Sequence, residues 1–263
     1  MIVVGELINM TRSKPRQAWA DRDGEAIAQM ARDQAEAGAD YIDVNSGAPG
    51  EEAACMEWLV NVVQDAVDLP LCIDTTNPEA LERALALAKA PPIINSVSGE
   101  KERWTAFLPL LKGVSCKVVA LLVGDGGLPK TVQDRLDNAA FLIDKLGEAG
   151  FAEEAIFIDP CVIPVSTDNT AGSVFLESIP ALKERWPDVH FIAGLSNISF
   201  GLPARALMNR GFLALAMGAG LDAAILNPTD RQIVQVLLST EAILGKDNYC
   251  RRYIKGFRKG LFA

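Results

Sequence analysis

The chain has 263 residues, of which 49% are hydrophobic, 22% charged and 6% aromatic. This length and composition fit either two small domains or one α/β barrel of about 250 residues. Its 34 acidic and 25 basic side chains give a formal net charge of -9. That balance argues against nucleic acid or an anionic membrane as the main partner, because either would need a basic face.

The cysteines and the N-terminus bear on the compartment. The five cysteines are widely spaced and form no C-x-x-C pair: Cys55, Cys72, Cys116, Cys161 and Cys250. Such spacing predicts buried, reduced thiols. No apolar run is long enough to cross a bilayer, and the first residues lack the basic lead-in and cleavage site of a signal peptide. We therefore expect a cytoplasmic protein with no membrane partner.

Short apolar runs recur along the whole chain. They are nearly continuous in apolar residues rather than alternating, which is typical of strands covered on both faces in a parallel sheet. The eight runs span residues 2–9, 41–45, 71–75, 92–97, 117–123, 156–161, 190–197 and 223–228.

Amphipathic segments lie between these runs, and the pairs Asn77-Pro78 and Ser98-x-Glu100 are predicted helix starts. Eight strand–helix pairs predict a single-domain (β/α)8 TIM barrel of the α/β class over residues 1–263. The alternative is an open doubly wound sheet, but the first strand is not followed by its G-x-G-x-x-G turn. The glycine-rich segment at 124–129 is predicted to be a loop, and the basic C-terminal segment a closing helix.

Polar side chains follow one predicted strand after another, at the end where barrels carry their function. A single Asp or Asn in such a position is usually a turn former or helix cap, but recurrence at successive strands predicts that the side chains converge over one cavity. The candidates are Glu6, Asn9, Asp43, Asn45, Asp74, Asn95, Asp159, Ser196, Asn197 and Asn227.

These residue types favour hydrogen bonding over metal or covalent chemistry. The only histidine, His190, begins its strand and so lies at the opposite end of the barrel, where we expect a structural role. Lys117 also begins a strand and Lys130 lies in a loop, which argues against a Schiff base, and no Ser-His or Cys-His pair can form. Carboxylates accept and amides both donate and accept, so we expect no bound metal and a flat heterocyclic ligand such as a pterin.

Six short sequence motifs together indicate a protein family. The segments GELIN, IDVNSG, LCIDTTNPEAL, INSVSGE, IDPCV and GLSNIS occur in this order over essentially the whole chain. As a set they resemble the pterin-binding methyltransferases that exchange a methyl group between tetrahydrofolate and a corrinoid protein. The wider superfamily includes dihydropteroate synthase and the folate domain of cobalamin-dependent methionine synthase.

The resemblance implies specific site residues. It assigns the pterin-anchoring carboxylates to Asp74 and Asp159 and the anchoring amide to Asn95, and it places Asn197 near the N5 atom that carries the methyl group. We hypothesise that Asn197 stabilises N5 in the transition state; the alternative is a strand-end Asn that caps the next helix. Further folate-binding candidates at the same strand ends are Glu6, Asp43, Asn45 and Ser196.

Phe200 and Arg205 follow Asn197 closely in the sequence. Arg205 matches a family arginine near the rim that would meet the corrinoid or the folate's glutamate tail; the alternative is a solvated first-turn residue. Phe200 stands where relatives carry Gln, so a polar contact near N5 is expected to be missing or replaced by apolar packing. This departure favours relatives in O-demethylase or methylamine/betaine-type systems, with net formation of 5-methyltetrahydrofolate.

The resemblance also implies partners. The corrinoid would be supplied by a separate corrinoid protein, since the sequence carries no D-x-H-x-x-G pattern, and a homodimer is expected, to which the apolar segment at 206–220 would contribute. One alternative is a dihydropteroate synthase, which would carry Arg-x-His at the eighth strand, whereas this strand ends in LNPTD. The other is a non-catalytic pterin-binding subunit of a methyltransferase complex.

Overall fold

The computed structural model describes residues 1–47 and 50–262, and its strands follow the predicted apolar runs. The eight strands are β1 (Ile2–Asn9), β2 (Tyr41–Asn45), β3 (Leu71–Asp74), β4 (Ile93–Gly99), β5 (Lys117–Gly124), β6 (Ile156–Asp159), β7 (His190–Phe191) and β8 (Ala223–Leu226). All but β7 agree with the predicted ranges to within two residues at each end.

The strands form one parallel sheet in the order β7-β6-β5-β4-β3-β2-β1-β8. Its two edges meet, because Ile225 N–H donates to the Ala193 carbonyl at 2.9 Å and Gly194 forms a parallel bridge with Ile225. The predicted (β/α)8 barrel is therefore confirmed, and the open doubly wound sheet is wrong.

Helices surround this sheet. They are α1 (Ser13–Asp21), α2 (Gly24–Glu36), α3 (Glu52–Ala66), α4 (Pro78–Leu87), α5 (Lys101–Leu111), α6 (Val132–Glu148), α7 (Ala171–Arg185), α8 (Arg205–Ala219), α9 (Arg231–Ile243) and α10 (Arg251–Arg258). Asn77 caps α4 as predicted, accepting from the backbone of Glu79 at 2.9 Å. At the other predicted start, β4 runs on to Gly99 and α5 begins at Lys101.

Two apolar layers hold the barrel together. The outer layer lies between strands and helices, with side chains such as Ile42, Ile73 and Phe191. The inner layer fills the barrel itself. Its members are Val4, Cys72, Ile93, Val119, Phe157, Ile192 and Ala223, with Ile2, Tyr41 and Ile225 packed against them. Because successive strand residues face opposite sides, this inner layer fixes which later residues point into the barrel mouth.

Two strands carry a β-bulge near their C-terminal ends. In β1 the register against β2 shifts between Gly5 and Ile8, and in β4 the register against β5 shifts between Ile94 and Val97. The bulge of β1 is supported by buried Gln34 of α2, whose Oε1 accepts from Leu7 N–H at 3.0 Å. Bulges of this kind re-aim side chains beside active sites.

The prediction of a strand over residues 190–197 is wrong in its second half. Strand β7 ends at Phe191, and Leu195–Ser199 forms a 3-10 helix. The backbone between them still bonds to the sheet, since Ile192 N–H donates to the Ile158 carbonyl at 2.9 Å. Because β7 ends early, the residues Leu195–Asn197, here called the LSN segment, lie in this 3-10 helix at the barrel mouth.

The remaining predictions concern the cysteines, the loop at 124–129 and the tail. Cys55 and Cys72 are buried, but the prediction of burial is wrong for Cys250, which is exposed, and Cys116 and Cys161 are half-buried. Gly124 and Gly127 form a tight turn of the predicted loop, and the predicted closing helix is α10. In the described residues, no helix combines the length and apolarity needed to cross a membrane.

Candidate functional site

The predicted polar residues follow the inner layer of the barrel at a fixed spacing. Each stands two residues beyond an inner-layer side chain on its strand, and alternation therefore points it into the barrel mouth. The pairs are Val4 and Glu6, Tyr41 and Asp43, Cys72 and Asp74, Ile93 and Asn95, and Phe157 and Asp159. The structure thus brings five predicted side chains together above one apolar floor.

Three of the predicted residues lie side by side on neighbouring strands. Asn45 of β2 pairs in register with Asp74 of β3, which pairs in turn with Asn95 of β4. The Asn45 amide donates to Asp74 Oδ2 at 2.7 Å. Burial raises the pKa of Asp74 to about 6, although this hydrogen bond favours the charged form. The row offers amides and a carboxylate along one edge.

Asp43 lies deeper in the barrel, below this row, and is 2% exposed. Burial and the neighbouring Asp74 charge raise its pKa well above the ordinary range, while a hydrogen bond with the Cys72 thiol opposes the shift. Within the described residues its Oδ1 has no hydrogen-bond partner. Asp43 and Asp74 therefore favour a state with fewer than two negative charges between them.

Asp159 closes the β6 side of the mouth. Its Oδ1 accepts from the Cys161 backbone N–H at 2.8 Å. Burial raises the pKa of Asp159 to about 6, and the Cys161 N–H and the Arg135 charge oppose that rise. One carboxylate oxygen is thereby held by the protein, and the group remains able to ionise near neutral pH.

A polar cavity of about 530 Å³ lies at the ends of β7, β8 and β1, where Leu195 and Ser196 line it. Glu6 forms an ion pair with Arg12 at 2.6 Å, and burial raises the pKa of Glu6. Arg205 donates through Nη2 to the Ser196 carbonyl at 2.6 Å and through Nε to Ser199 Oγ at 3.1 Å. Arg205 is therefore not simply solvated: it binds the loop that carries Asn197.

Asn197 is exposed on the 3-10 helix Leu195–Ser199. The alternative that it caps the next helix is wrong, because the residue preceding α8 is Ala204 and Asn197 caps neither segment. Its backbone N–H donates to the Gly194 carbonyl at 3.3 Å, but among residues 1–47 and 50–262 no group hydrogen-bonds to its side-chain carboxamide. The amide is available to a ligand.

Two candidates are turn formers instead. The Asn9 carboxamide accepts from Thr11 N–H at 2.9 Å, and the Asn227 carboxamide accepts from Thr229 N–H at 3.0 Å. His190 lies at the far end of the barrel, as expected, with Nδ1 3.0 Å from Asp222 Oδ2. In the described part of the chain, no three His, Cys, Asp or Glu side chains are grouped to hold a metal ion.

Sequence reasoning missed several residues that shape the site. Cys72 contacts Asp43, Arg12 pairs with Glu6, and Arg135 lies behind Asp159. Cys72 could have been found from its spacing, two residues before Asp74 on one strand. Arg12 and Arg135 come from a loop and a helix, for which strand periodicity gives no signal.

Comparison with known proteins agrees with this geometry. The family model "Pterin binding enzyme" matches residues 5–227. The methylcorrinoid:tetrahydrofolate methyltransferase of Eubacterium limosum is 40% identical over 99% of this chain and 97% of its own length. Methionine synthase of Mycobacterium tuberculosis (strain ATCC 25618 / H37Rv) is 32% identical over 86% of this chain, but the match spans only 20% of that protein.

A solved structure is similar in fold alone. The 7,8-dihydropteroate synthase of Vibrio fischeri ES114 superposes with a TM-score of 0.73 over 93% of each chain, at 17% identity. Fold and site together define a pterin-binding barrel enzyme. The chain belongs to the pterin-binding enzyme family and, within it, to the methyltransferases that act between tetrahydrofolate and a corrinoid protein.

Proposed function

We propose that this protein transfers a methyl group between the cobalt of a corrinoid protein and N5 of tetrahydrofolate, forming 5-methyltetrahydrofolate in an O-demethylase-type system. The observation that carries the proposal is the exposed Asn197 amide, which has no hydrogen-bond partner in the described residues and stands beside a mouth of carboxylates and amides. The Eubacterium limosum relative, matched over nearly its full length, supports the choice of reaction.

Asp74, Asn95 and Asp159 would hold the pterin. Its amino-pyrimidinone ring presents N–H donors along one edge, and ionised carboxylates accept such bonds. Charge-assisted hydrogen bonds of this kind contribute roughly 1.5–3 kcal/mol each. Asn45 orients Asp74 through its 2.7 Å bond, while Asp43 and Glu6 supply further polar groups on the barrel axis. These residues position the substrate and leave the transfer step to others.

Asn197 would act at the reacting nitrogen. When a methyl group moves to N5, the nitrogen's electron pair forms the new N–C bond. The Co–C bond breaks with both electrons on cobalt, leaving cobalt(I), and N5 releases a proton. The Asn197 carbonyl oxygen would accept from N5–H as positive charge develops, and its NH2 would donate in the reverse reaction. An ionised Asp could not fill both roles.

The corrinoid would arrive as a substrate on a partner protein. Phe200 is 62% exposed at the end of the 3-10 helix that carries Asn197, and one face of its ring lies 5.8 Å from the Arg205 guanidinium carbon. We propose that this ring meets the corrinoid protein. Arg205, which is bonded to Ser196 and Ser199, would hold the Asn197 loop in place rather than bind the glutamate tail.

Compartment and assembly complete the proposal. We place the protein in the cytoplasm as a homodimer. Leu207 and Leu215 lie two turns apart on α8, are 72% and 61% exposed, and form the apolar face that would pack against a second copy.

The test is a spectroscopic assay with methylcobalamin or a methylated corrinoid protein as donor and tetrahydrofolate as acceptor. The expected result is protein-dependent appearance of the cobalt(I) spectrum together with 5-methyltetrahydrofolate, both slowed by about 10²–10³ in Asn197→Ala. Folate binding without transfer from any donor would instead indicate a non-catalytic pterin-binding subunit. Formation of dihydropteroate from p-aminobenzoate would indicate a synthase.

A further inference from the structure

A buried arginine stands behind the pterin site. Arg135 of α6 is 1% exposed and is the largest fully buried side chain of the described residues. A buried charge needs compensating partners. Here they are backbone carbonyls: Arg135 Nε donates to Pro160 O at 2.6 Å, Nη2 to Cys161 O at 3.2 Å and Nη1 to Thr131 O at 3.2 Å. Two of the three bonds reach the segment that follows β6.

That segment determines how Asp159 is held. Cys161 has a φ of 65°, in the left-handed region that favours glycine, so the turn needs outside support to persist. In this conformation the Cys161 N–H donates to Asp159 Oδ1 at 2.8 Å. The guanidinium therefore fixes two carbonyls of a turn whose N–H group orients the carboxylate.

We propose that Arg135 is a positioning residue for folate: by holding the Pro160 and Cys161 carbonyls it sets the orientation of the Asp159 carboxylate. The proposal rests on the proposed function, because it takes Asp159 to be a folate contact. Arg135 itself lies on α6, and its three hydrogen bonds in the described structure all go to backbone carbonyls.

The positive charge of Arg135 acts on Asp159 in addition to its hydrogen bonds with the turn. The Arg135 guanidinium favours the ionised form of Asp159 and opposes the rise in its pKa that burial causes. The other titratable groups acting on the pair are the Cys161 thiol, whose pKa burial raises to about 12, and Asp134, next to Arg135 in the chain. Of the described residues, Arg135 is the positively charged group that acts on Asp159.

The experiment compares Arg135→Lys and Arg135→Met with the parent protein by titrating tetrahydrofolate between pH 5 and 8. Arg135→Lys keeps the positive charge, but an ammonium group cannot bond to the Pro160 and Cys161 carbonyls in the same geometry as a guanidinium. We expect the folate Kd at pH 7 to rise about tenfold, as for one lost hydrogen bond. The turnover rate at saturating folate should stay within about twofold, because Asn197 is untouched. In Arg135→Met, the pH midpoint of binding should also move upward.

Asn138→Ala is the matched control. Asn138 also lies on α6 and donates to a strand carbonyl, that of Leu122 at 3.1 Å, but it does not reach the segment after β6. It should lower the melting temperature without changing the folate Kd. A purely structural Arg135 would behave like Asn138, and that result would overturn the proposal.

The double variant Arg135→Lys/Asp159→Asn distinguishes failure of the proposed folate contact of Asp159 from failure of the positioning role of Arg135. If Arg135 acts through Asp159, its replacement adds little to the loss of affinity in Asp159→Asn. If Asp159→Asn alone binds folate normally, the proposed folate contact fails. If Asp159→Asn weakens binding but Arg135→Lys does not, only the positioning role fails. Should Arg135→Met not fold, the Lys variant and the double variant still decide.

Discussion

The side-chain amide of Asn45 lies 2.7 Å from Asp74 Oδ2, across the in-register pairing of β2 with β3. A donor at this distance stabilises the ionised carboxylate against its own burial. The balance leaves the pKa of Asp74 at about 6. We therefore expect ionisation of this acid, and with it folate binding, to depend on a single neighbouring amide.

We expect Asn45→Leu to raise the pKa of Asp74 further. In the proposed site tetrahydrofolate binds the ionised carboxylate, so the pH below which affinity falls should move above its value in the parent protein, with Kd at pH 7 increasing about tenfold. Fluorescence titration of folate from pH 5 to 8 measures both. Asn61→Leu is the control, because its amide bonds only to a carbonyl on the surface of α3. An unshifted midpoint in Asn45→Leu would contradict the role.

Asp159 should reduce the stability of the ligand-free protein at neutral pH. Its pKa is raised to about 6 by burial, so between pH 4 and 6 the folded state binds more protons than the unfolded state and stability falls as pH rises. Asp159→Asn keeps an acceptor for Cys161 N–H without the charge. We expect it to stabilise the ligand-free protein by about 1 kcal/mol at pH 7.5, with the gain vanishing near pH 4. Urea unfolding at both pH values measures this, and a gain independent of pH would exclude ionisation as its cause.

Replacing Asn197 should slow methyl transfer and leave folate binding intact. We expect Asn197→Ala to lower the single-turnover rate by about 10²–10³, the loss typical of one preorganised hydrogen-bonding group. The folate Kd should stay within about threefold, since the proposed pterin anchors are the carboxylates of Asp74 and Asp159. Stopped-flow recording of the cobalt spectrum supplies the rate, and a parental rate with folate bound would reject the assignment.

Arg205 should affect the rate through Asn197. Its bonds to Ser196 O and Ser199 Oγ hold the 3-10 helix that presents the amide. We expect Arg205→Leu to slow transfer about tenfold and to have little further effect in the Asn197→Ala background, because residues that act as a unit are not additive. Additive losses would show that Arg205 contacts a substrate independently.

Much of this architecture could be predicted from the sequence. The continuous apolar runs gave the parallel strands and the barrel, since strands covered on both faces lack alternation. Placing Asp43, Asp74 and Asp159 at the mouth required only the rule that barrel strands present their C-terminal ends together. The identity of the ligand came from motifs rather than from physical pattern.

Other features depend on tertiary contacts that no local pattern encodes. The bulges at Glu6 and Asn95 depend on pairing with neighbouring strands, and Gln34, which supports the first, lies on α2. The run at 190–197 begins with apolar residues typical of a strand, yet β7 ends at Phe191 and the LSN segment that follows is not part of it. The sequence alone predicts a surface position for Arg205, and its hydrogen bonds to Ser196 and Ser199 appear only in the folded structure.

The bulge in β1 also limits how this strand can change. One extra residue between Gly5 and Ile8 shifts the alternation of everything after it. Removing one of the two residues there would leave Ile8 opposite Val44 but would abolish the bulge. The strand would then lose either the Glu6 side chain or the Leu7 N–H that donates to Gln34. Substitutions at the tip of β1 are therefore more tolerable than a length change of even one residue.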